Sequence, residues 1–289
     1  MTDPAYLPSP ASPSRRSFLA SASAGLLAAG LWPGRLHADD AAGENGSFQF
    51  LAVNDVHFTD PAKCPQWFEK IFAAMRDSAP KAEFALLSGD LSSRCLDSEF
   101  GGLRELLTLL RMPVHLTPGN HDVASNGDRA IFEKFFPGKR NHVVEHRGWQ
   151  LVNVDSVENT GYVQTTILKD NLDWLDKVLP KLDPKRPTIL STHFPLGPGL
   201  ARRPKNADDL LKRFMGFNLQ AVFNGHWHGY SQTLFNAAVI STNRCCSRYR
   251  GNHDGSREKG WYVCEAAQGK ISRRFVAAPP ELIARSEWH

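Results

Sequence analysis

The chain has 289 residues, 42% of them hydrophobic, and a formal net charge of +4. That is enough apolar material for one large α/β domain or two small ones. The basic residues are spread along the chain rather than gathered in blocks, which argues against nucleic-acid binding.

The N-terminus stands apart from the rest. Ser14-Arg15-Arg16-Ser17-Phe18-Leu19 precedes an apolar, small-residue run to Trp32, then Pro33 to Ala38. Paired arginines before a short hydrophobic core resemble a twin-arginine export signal. The core is shorter than the roughly 20 apolar residues of a membrane span. The expectation is a signal peptide over residues 1–38, a polar linker over 39–46 and one catalytic domain over 47–289. It implies the twin-arginine export machinery as a partner, no stable membrane span, and a periplasmic or secreted location. The five cysteines, Cys64, Cys95, Cys245, Cys246 and Cys264, match no zinc-ribbon spacing. A bridge between neighbouring Cys245 and Cys246 would be strained.

Phe48 to Asn54 reads as the first strand, ending at Asp55-Val56-His57. Trp67, Phe68, Ile71, Phe72 and Met75 recur at helical spacing, and the helix stops near Pro80. Phe84 to Ser88 is a second buried strand, ending at Gly89-Asp90, and Phe100 to Leu110 a second helix. Pro113 to Thr117 is a third strand, and it runs into Pro118-Gly119-Asn120-His121-Asp122. Three strand–turn–helix units in succession suggest right-handed crossovers and a largely parallel sheet, whose carboxyl edge carries the site.

Farther on, Ile131 to Phe136 suggests a short helix, and His142 to His146 with Trp149 to Val154 a hairpin across Arg147-Gly148. Leu172 to Leu179 is helical, Thr188 to Thr192 a strand ending at His193, and Leu210 to Phe214 helical again. Leu219 to Phe223 is a strand that ends at Asn224-Gly225-His226-Trp227-His228. Val239 to Ser241, Trp261 to Cys264 and Ile271 to Val276 are strands without intervening helices, the last two joined by a turn at Gln268-Gly269.

Five strand ends thus carry residues of the metal-ligand type: Asp55-x-His57, Gly89-Asp90, Gly119-Asn120-His121-Asp122, His193, and Gly225-His226-x-His228. Each alone has a plainer reading, since an Asp after a strand often caps a helix. Together, oxygen and imidazole donors without cysteine, gathered on one sheet edge, suit two divalent or trivalent ions of borderline hardness. Iron, manganese and zinc all fit such a set.

The ordered set DxH, GD, GNHD, H, GHxH resembles the calcineurin-like metallophosphoesterase superfamily over residues 51–228. The resemblance implies a four-layer α/β/β/α sandwich around a dinuclear metal centre. It implies that Asp55, His57 and His228 hold one ion, that Asn120, His193 and His226 hold the other, and that Asp90 bridges them. It makes His121 a residue that faces the substrate rather than a ligand. Two ions about 3.5–4 Å apart lower the pKa of a bridging water, bind phosphoryl oxygens and stabilise the leaving oxygen. His121 is expected to act as general acid or to stabilise transition-state charge. Asp122 either orients a nearby group or caps the next helix.

The first motif holds His57 where purple acid phosphatases have glycine, and Ser93 stands three residues after Asp90, where they have tyrosine. The Ser/Thr phosphatase wording GDxVDRG is also missing. The chain is more similar to the bacterial branch with cyclic-nucleotide and glycerophosphodiester phosphodiesterases, so a small phosphodiester is the expected substrate. Monoester or pyrophosphate hydrolysis, or a metal-binding scaffold without activity, are the alternatives.

Gly251-Asn252-His253-Asp254 repeats the GNHD letters, but after Arg248-Tyr249-Arg250 rather than an apolar strand, and out of order. Metal binding is therefore assigned to the first copy. The second lies in a basic, aromatic loop, where Arg248, Arg250 and His253 are candidates for binding a phosphate-bearing substrate. Pro195 to Pro204 is a candidate second wall.

Overall fold

The computed structural model describes residues 46–59, 62 and 65–283. The expected export signal, the expected linker up to residue 45 and Cys64 lie outside them. Eleven strands form two sheets among the described residues. The first sheet contains β1 (Phe48–Val53), β2 (Ala82–Ser88), β3 (Val114–Thr117), β10 (Gly260–Ala267) and β11 (Lys270–Ala277), in the order β11-β10-β1-β2-β3. The second contains β4 (His142–His146), β5 (Trp149–Val154), β6 (Thr188–Thr192), β7 (Leu219–Asn224), β8 (Ser231–Phe235) and β9 (Ala238–Thr242), in the order β4-β5-β6-β7-β9-β8. Strands β1 to β3 are parallel, as are β5, β6, β7 and β9. The antiparallel pairs lie outside these runs, where β10 joins β1 and β11 joins β10 in one sheet, and β4 joins β5 and β8 joins β9 in the other.

The side-chain alternation of the strands separates three apolar layers. Phe48, Phe50 and Ala52 of β1 and Phe84 and Leu86 of β2 face inward and meet Trp149, Leu151, Ile189, Ala221 and Phe223 of the second sheet. Leu51 and Val53, one position out of phase, face α1 (Pro65–Ser78), α2 (Asp97–Leu107) and α3 (Ala130–Phe135) through Phe68, Phe72, Phe100, Leu103 and Phe132. On the far side, Val152, Val154, Leu190 and Val222 pack on α4 (Lys169–Val178) and α5 (Ala207–Lys212) through Leu172, Leu175, Leu210 and Leu211. The result is helix, sheet, sheet, helix. Burial on both faces explains why the central strands read as continuous apolar runs rather than alternating ones.

One expectation changes. The ligand-bearing strand ends do not share one sheet edge. Strands β1, β2 and β3 supply Asp55, His57, Asp90 and Asn120 from the first sheet, while β6 and β7 supply His193, His226 and His228 from the second. Both parallel runs point their carboxyl ends to the same side, so two edges close on one place. The final hairpin returns to the first sheet, pairing Phe50 with Cys264, a contact too distant in sequence for periodicity to reveal. Among the described residues no helix is long and apolar enough to cross a membrane. The four described cysteines are buried free thiols.

One pair of histidines, His115 buried and His142 partly so, ties stability to pH. His115 on β3 and His142 on β4 lie 6.1 Å apart, ring to ring, and His115 Nδ1 and His142 Nε2 are buried without hydrogen-bond partners among the described residues. Burial, with Lys139 next in effect, pushes each imidazole down to about 3. Both are therefore neutral when folded and take up protons on unfolding below about pH 6.5. Stability is expected to fall as pH drops from 6.5 towards 3, by about 2 kcal/mol per histidine at pH 5. His115→Phe should flatten that slope in urea melts run from pH 7 to pH 5. An unchanged slope would show that these rings do not set acid sensitivity.

Candidate metal centre

The loops that carry the candidate ligands are zipped together by backbone bonds beyond the strand ends. Asp55 N donates to Gly89 O (3.2 Å), His57 N to Asp90 O (2.8 Å), Phe58 N to Leu91 O (2.8 Å), and Gly225 N to His193 O (2.8 Å). Five of the seven candidates sit in left-handed backbone, with φ of 55° at Asp55, 47° at His57, 49° at Asp90, 65° at His226 and 46° at His228. Each costs about 1–2 kcal/mol for a residue with a Cβ. That concentration of strain at one place is the backbone sign of a functional site. The motif glycines follow from crowding. A Cβ on Gly119 would stand 2.1 Å from Asp90 N, and one on Gly225 would stand 2.7 Å from Ser88 O and 2.9 Å from Asp55 Oδ2.

Two groups of donors converge, one of Asp55, His57, Asp90 and His228, the other of Asp90, His193 and His226. All six residues are buried. His57 Nε2 lies 3.0 Å from His228 Nε2 and 3.3 Å from Asp90 Oδ2, and His228 Nε2 lies 3.2 Å from Asp55 Oδ1. In the second group, His193 Nε2 lies 3.3 Å from Asp90 Oδ1 and 3.2 Å from Asn120 Oδ1. Asp90 thus turns one carboxylate oxygen towards each group.

For three of the four rings the opposite edge decides what these nitrogens can do, whereas His57 Nδ1 is buried without a hydrogen-bond partner among the described residues. His193 Nδ1 meets Ser88 O at 2.9 Å, His228 Nδ1 meets Gly251 O at 3.1 Å, and His226 Nε2 meets Tyr162 O at 2.9 Å. A carbonyl oxygen only accepts, so the hydrogen sits on that outer nitrogen. The inner nitrogen of each neutral ring is left with a lone pair. Asn120 Nδ2 contacts Thr160 O at 3.4 Å, so its oxygen is the end that faces the centre. Lone pairs of nitrogen and oxygen that face one another at 3.0–3.3 Å repel unless a cation or a proton lies among them. Backbone carbonyls holding the outer imidazole nitrogens are the usual support of metal-ligating histidines.

The charges agree with that reading. Burial opposes ionisation of His193, but Asp90 and Asp55 hold its imidazolium up to about 9. Burial likewise opposes a charge on His228, and Asp55 and Cys245 raise it well above the usual range. Burial tends to raise Asp55 and Asp90, but His228 and His193 respectively hold them well below it. His57 and His226 are pushed down by burial, the latter to about 3. Each half of the site therefore favours one positive charge among buried nitrogen and oxygen donors. The donors in each group are of the kind that suits an ion of the N/O-loving class.

His121 stands beside the centre without joining either donor group. Its ring lies 4.8 Å from that of His57, and its Nδ1 bonds Ser93 O at 2.9 Å, so Nε2 is the nitrogen left for other partners. Its backbone N donates to Asp90 Oδ1 at 2.9 Å. Asp122 neither coordinates nor caps a helix. Its fully buried carboxylate accepts from Leu91 N (2.9 Å), Ser92 N (2.7 Å), Ser92 Oγ (2.9 Å) and Gly119 N (2.8 Å), which ties the turn after β2 to the turn after β3. Burial and the nearby Asp90 nonetheless push its carboxyl up to about 6. Asp122→Ala strands these donors and is expected to cost about 3 kcal/mol. A urea midpoint equal to that of the native protein would show that the turns hold without it.

The repeated GNHD segment is built differently. Asn252 Oδ1 accepts from Cys245 N, its Nδ2 donates to Ser256 O and Glu258 O, and Asp254 Oδ2 accepts from Tyr230 N. These bonds brace the loop, and none of its residues joins the two donor groups. His253 does reach the centre's edge, stacking on His228 at 5.3 Å. The Arg248 guanidinium lies over Trp67 at 5.8 Å and Tyr249 at 5.7 Å, while Arg250 is exposed.

Sequence reasoning missed Arg202 as a single residue. It also missed Lys259, whose buried ammonium donates to Cys245 Sγ (2.8 Å) and to Arg250 O behind His228. The carbonyls of Thr160 and Tyr162 were invisible to it, because a backbone acceptor leaves no mark on the residue type. Their loop is held by Arg129, which bonds Asp155 (2.9 Å), Val157 O (2.5 Å) and Glu158 O (3.4 Å).

Comparison with known proteins adds the following. The chain is 27% identical over 175 residues to a protein of Arcobacter nitrofigilis named as a probable glycerophosphodiester phosphodiesterase, a match covering 56% of this chain and 63% of that one. It is 27% identical over 131 residues to a 3′,5′-cyclic-nucleotide phosphodiesterase of Nostoc sp., covering 44% and 47%. Both matches span less than two thirds of the relative's length. In fold alone it is similar to a purple acid phosphatase from yellow lupin seeds (TM-score 0.58, 10% identity, 80% of this chain and 52% of that one). It is also similar in fold to GAP50, the anchor in the inner membrane complex of Plasmodium (TM-score 0.58, 14% identity, 80% and 85%). The family model for calcineurin-like phosphoesterases matches residues 48–230, from the first strand to just past the last candidate ligand, and the chain belongs to that family.

Proposed function

We propose that this chain is an exported, two-metal phosphodiesterase acting on small phosphodiesters. The observation that carries the metal reading is Asp90, whose two buried carboxylate oxygens each face a separate set of imidazole nitrogens at 3.3 Å. Asp55, His57 and His228 would hold one ion, Asn120, His193 and His226 the other, and Asp90 both. When bound, such ions supply positive charge for the phosphoryl oxygens and acidify water, chemistry that anionic esters require. The rest falls to the chain. Ser88, Gly251 and Tyr162 fix the rings through their carbonyls, so the donors need not reorganise as the ester is attacked. His121, anchored through Nδ1 to Ser93 O, keeps Nε2 to hold or deliver a proton at the departing oxygen.

Relatives named for glycerophosphodiester and cyclic-nucleotide substrates support the diester preference. Export rests on the Arg15-Arg16 signal alone. The test pairs an aryl phosphate monoester with an aryl phosphate diester, using metal-stripped protein and protein reconstituted with manganese. Metal-dependent hydrolysis with the diester faster supports the reading. Faster hydrolysis of the monoester makes the chain a phosphatase, and silence on both with two ions bound makes it a scaffold or a narrowly specific enzyme.

A further inference from the structure

The geometry points to Tyr162, Arg202, Trp227 and His253 as a recognition rim for a planar aromatic group on one ester arm of the substrate, such as a nucleoside base. The inference rests on the phosphodiesterase reading above and adds to it what the arm must look like.

Four separate segments bring these side chains together. Tyr162 lies in the loop after β5, Arg202 in the loop after β6, Trp227 between His226 and His228 after β7, and His253 in the loop between β9 and β10. The Arg202 guanidinium lies 5.5 Å from the Tyr162 ring and 5.9 Å from the Trp227 ring, and its Nη1 is 2.8 Å from His253 Nε2. The His253 ring lies 5.5 Å from Trp227 and stacks on His228 at 5.3 Å, with 25° between planes. Tyr162 is tied to the other half of the centre, since its carbonyl accepts from His226 Nε2 at 2.9 Å. The rim is therefore one residue removed from candidate ligands of both ions.

Its chemistry is unusual for a solvated loop. Tyr162 is 57% exposed, although it follows a buried run, Asp155 to Val157. Arg202 has no carboxylate within ion-pair distance among the described residues, and it holds a left-handed backbone at φ 65°. Its planar cation is set over rings rather than against an acid. Such a surface offers π-faces for stacking and guanidinium donors for the polar edge of a base. A glycerol arm has neither a face to stack nor an edge that matches. Stacking of a base on aromatic side chains is sequence-tolerant, so the rim selects for the presence of a ring more than for its identity.

The test uses two diesters that differ only in the base: the methyl ester of adenosine 5′-phosphate and the methyl ester of ribose 5-phosphate. The full chain, loaded with manganese, is assayed for kcat/KM on both, with Tyr162→Leu and Arg202→Ala beside it. The native protein should favour the base-bearing diester by about tenfold or more, and each substitution should cut that ratio at least about fivefold. Because the Tyr162 ring is largely exposed, Tyr162→Leu keeps the test open should Arg202→Ala fail to fold. A native ratio near one, or a ratio that neither variant moves while both diesters are hydrolysed, overturns the rim and leaves the phosphodiesterase reading standing. Hydrolysis of neither diester by protein with two ions bound overturns the underlying reading, and the rim with it.

Discussion

Asp90→Ala is expected to abolish turnover, lowering kcat by a factor of about 10³ or more, and to reduce bound metal to below one ion per chain. The reason lies in its two oxygens. Oδ2 faces His57 and Oδ1 faces His193, so a single side chain completes both donor groups. Truncation would leave four imidazoles and one carboxylate, Asp55, in a pocket buried from water. Ions held in the two adjoining groups would repel each other, and without the Asp90 carboxylate their charge would be less well offset. Oδ1 also accepts from His121 N at 2.9 Å, so the turn that carries Asn120 would lose an anchor as well. Elemental analysis and initial rates on the purified variant check both parts. Retention of two ions would show that Asp90 is not shared.

His121→Ala should behave in the opposite way. Its ring belongs to neither donor group, and its Nδ1 is occupied by Ser93 O. Two ions per chain should remain. The kcat should fall by about 10²–10⁴, the range a positioned proton donor or charge stabiliser supplies. The loss should be larger on a diester with an alkoxide leaving group than on one whose nitrophenolate departs without a proton. Metal loss equal to that of Asp90→Ala would make His121 a ligand. An equal rate loss on both leaving groups would remove proton delivery from its role.

Much of this was legible in the sequence, for a physical reason. Central strands of a doubly covered sheet must be continuously apolar, so a polar cluster at the end of each stands out. Asp55, Asp90, Asn120, His193 and His226 are all visible in that way. What stayed hidden depends on the third dimension. The two parallel runs are in different sheets, which pack through Phe50 and Phe84 against Trp149 and Phe223, and contacts such as His193 Nδ1 to Ser88 O bring their ends together. Strand β8 escaped notice because it is an edge strand, its residues partly buried or exposed, and carries no apolar run. Asp122 was ambiguous because a carboxylate binding four local donors has the same letters as one that caps a helix. The basic loop drew attention to Arg248, whereas the arginine stacked beside Trp227 is Arg202, from a stretch read only as a second wall.

The central claim is that one buried aspartate joins two cation sites built from two sheets. Anomalous diffraction from crystals of the manganese-loaded protein tests it most directly. The account predicts two peaks, one among Asp55, His57 and His228 and the other among Asn120, His193 and His226, with Asp90 touching both. A single peak, or peaks lying away from Asp90, would contradict it.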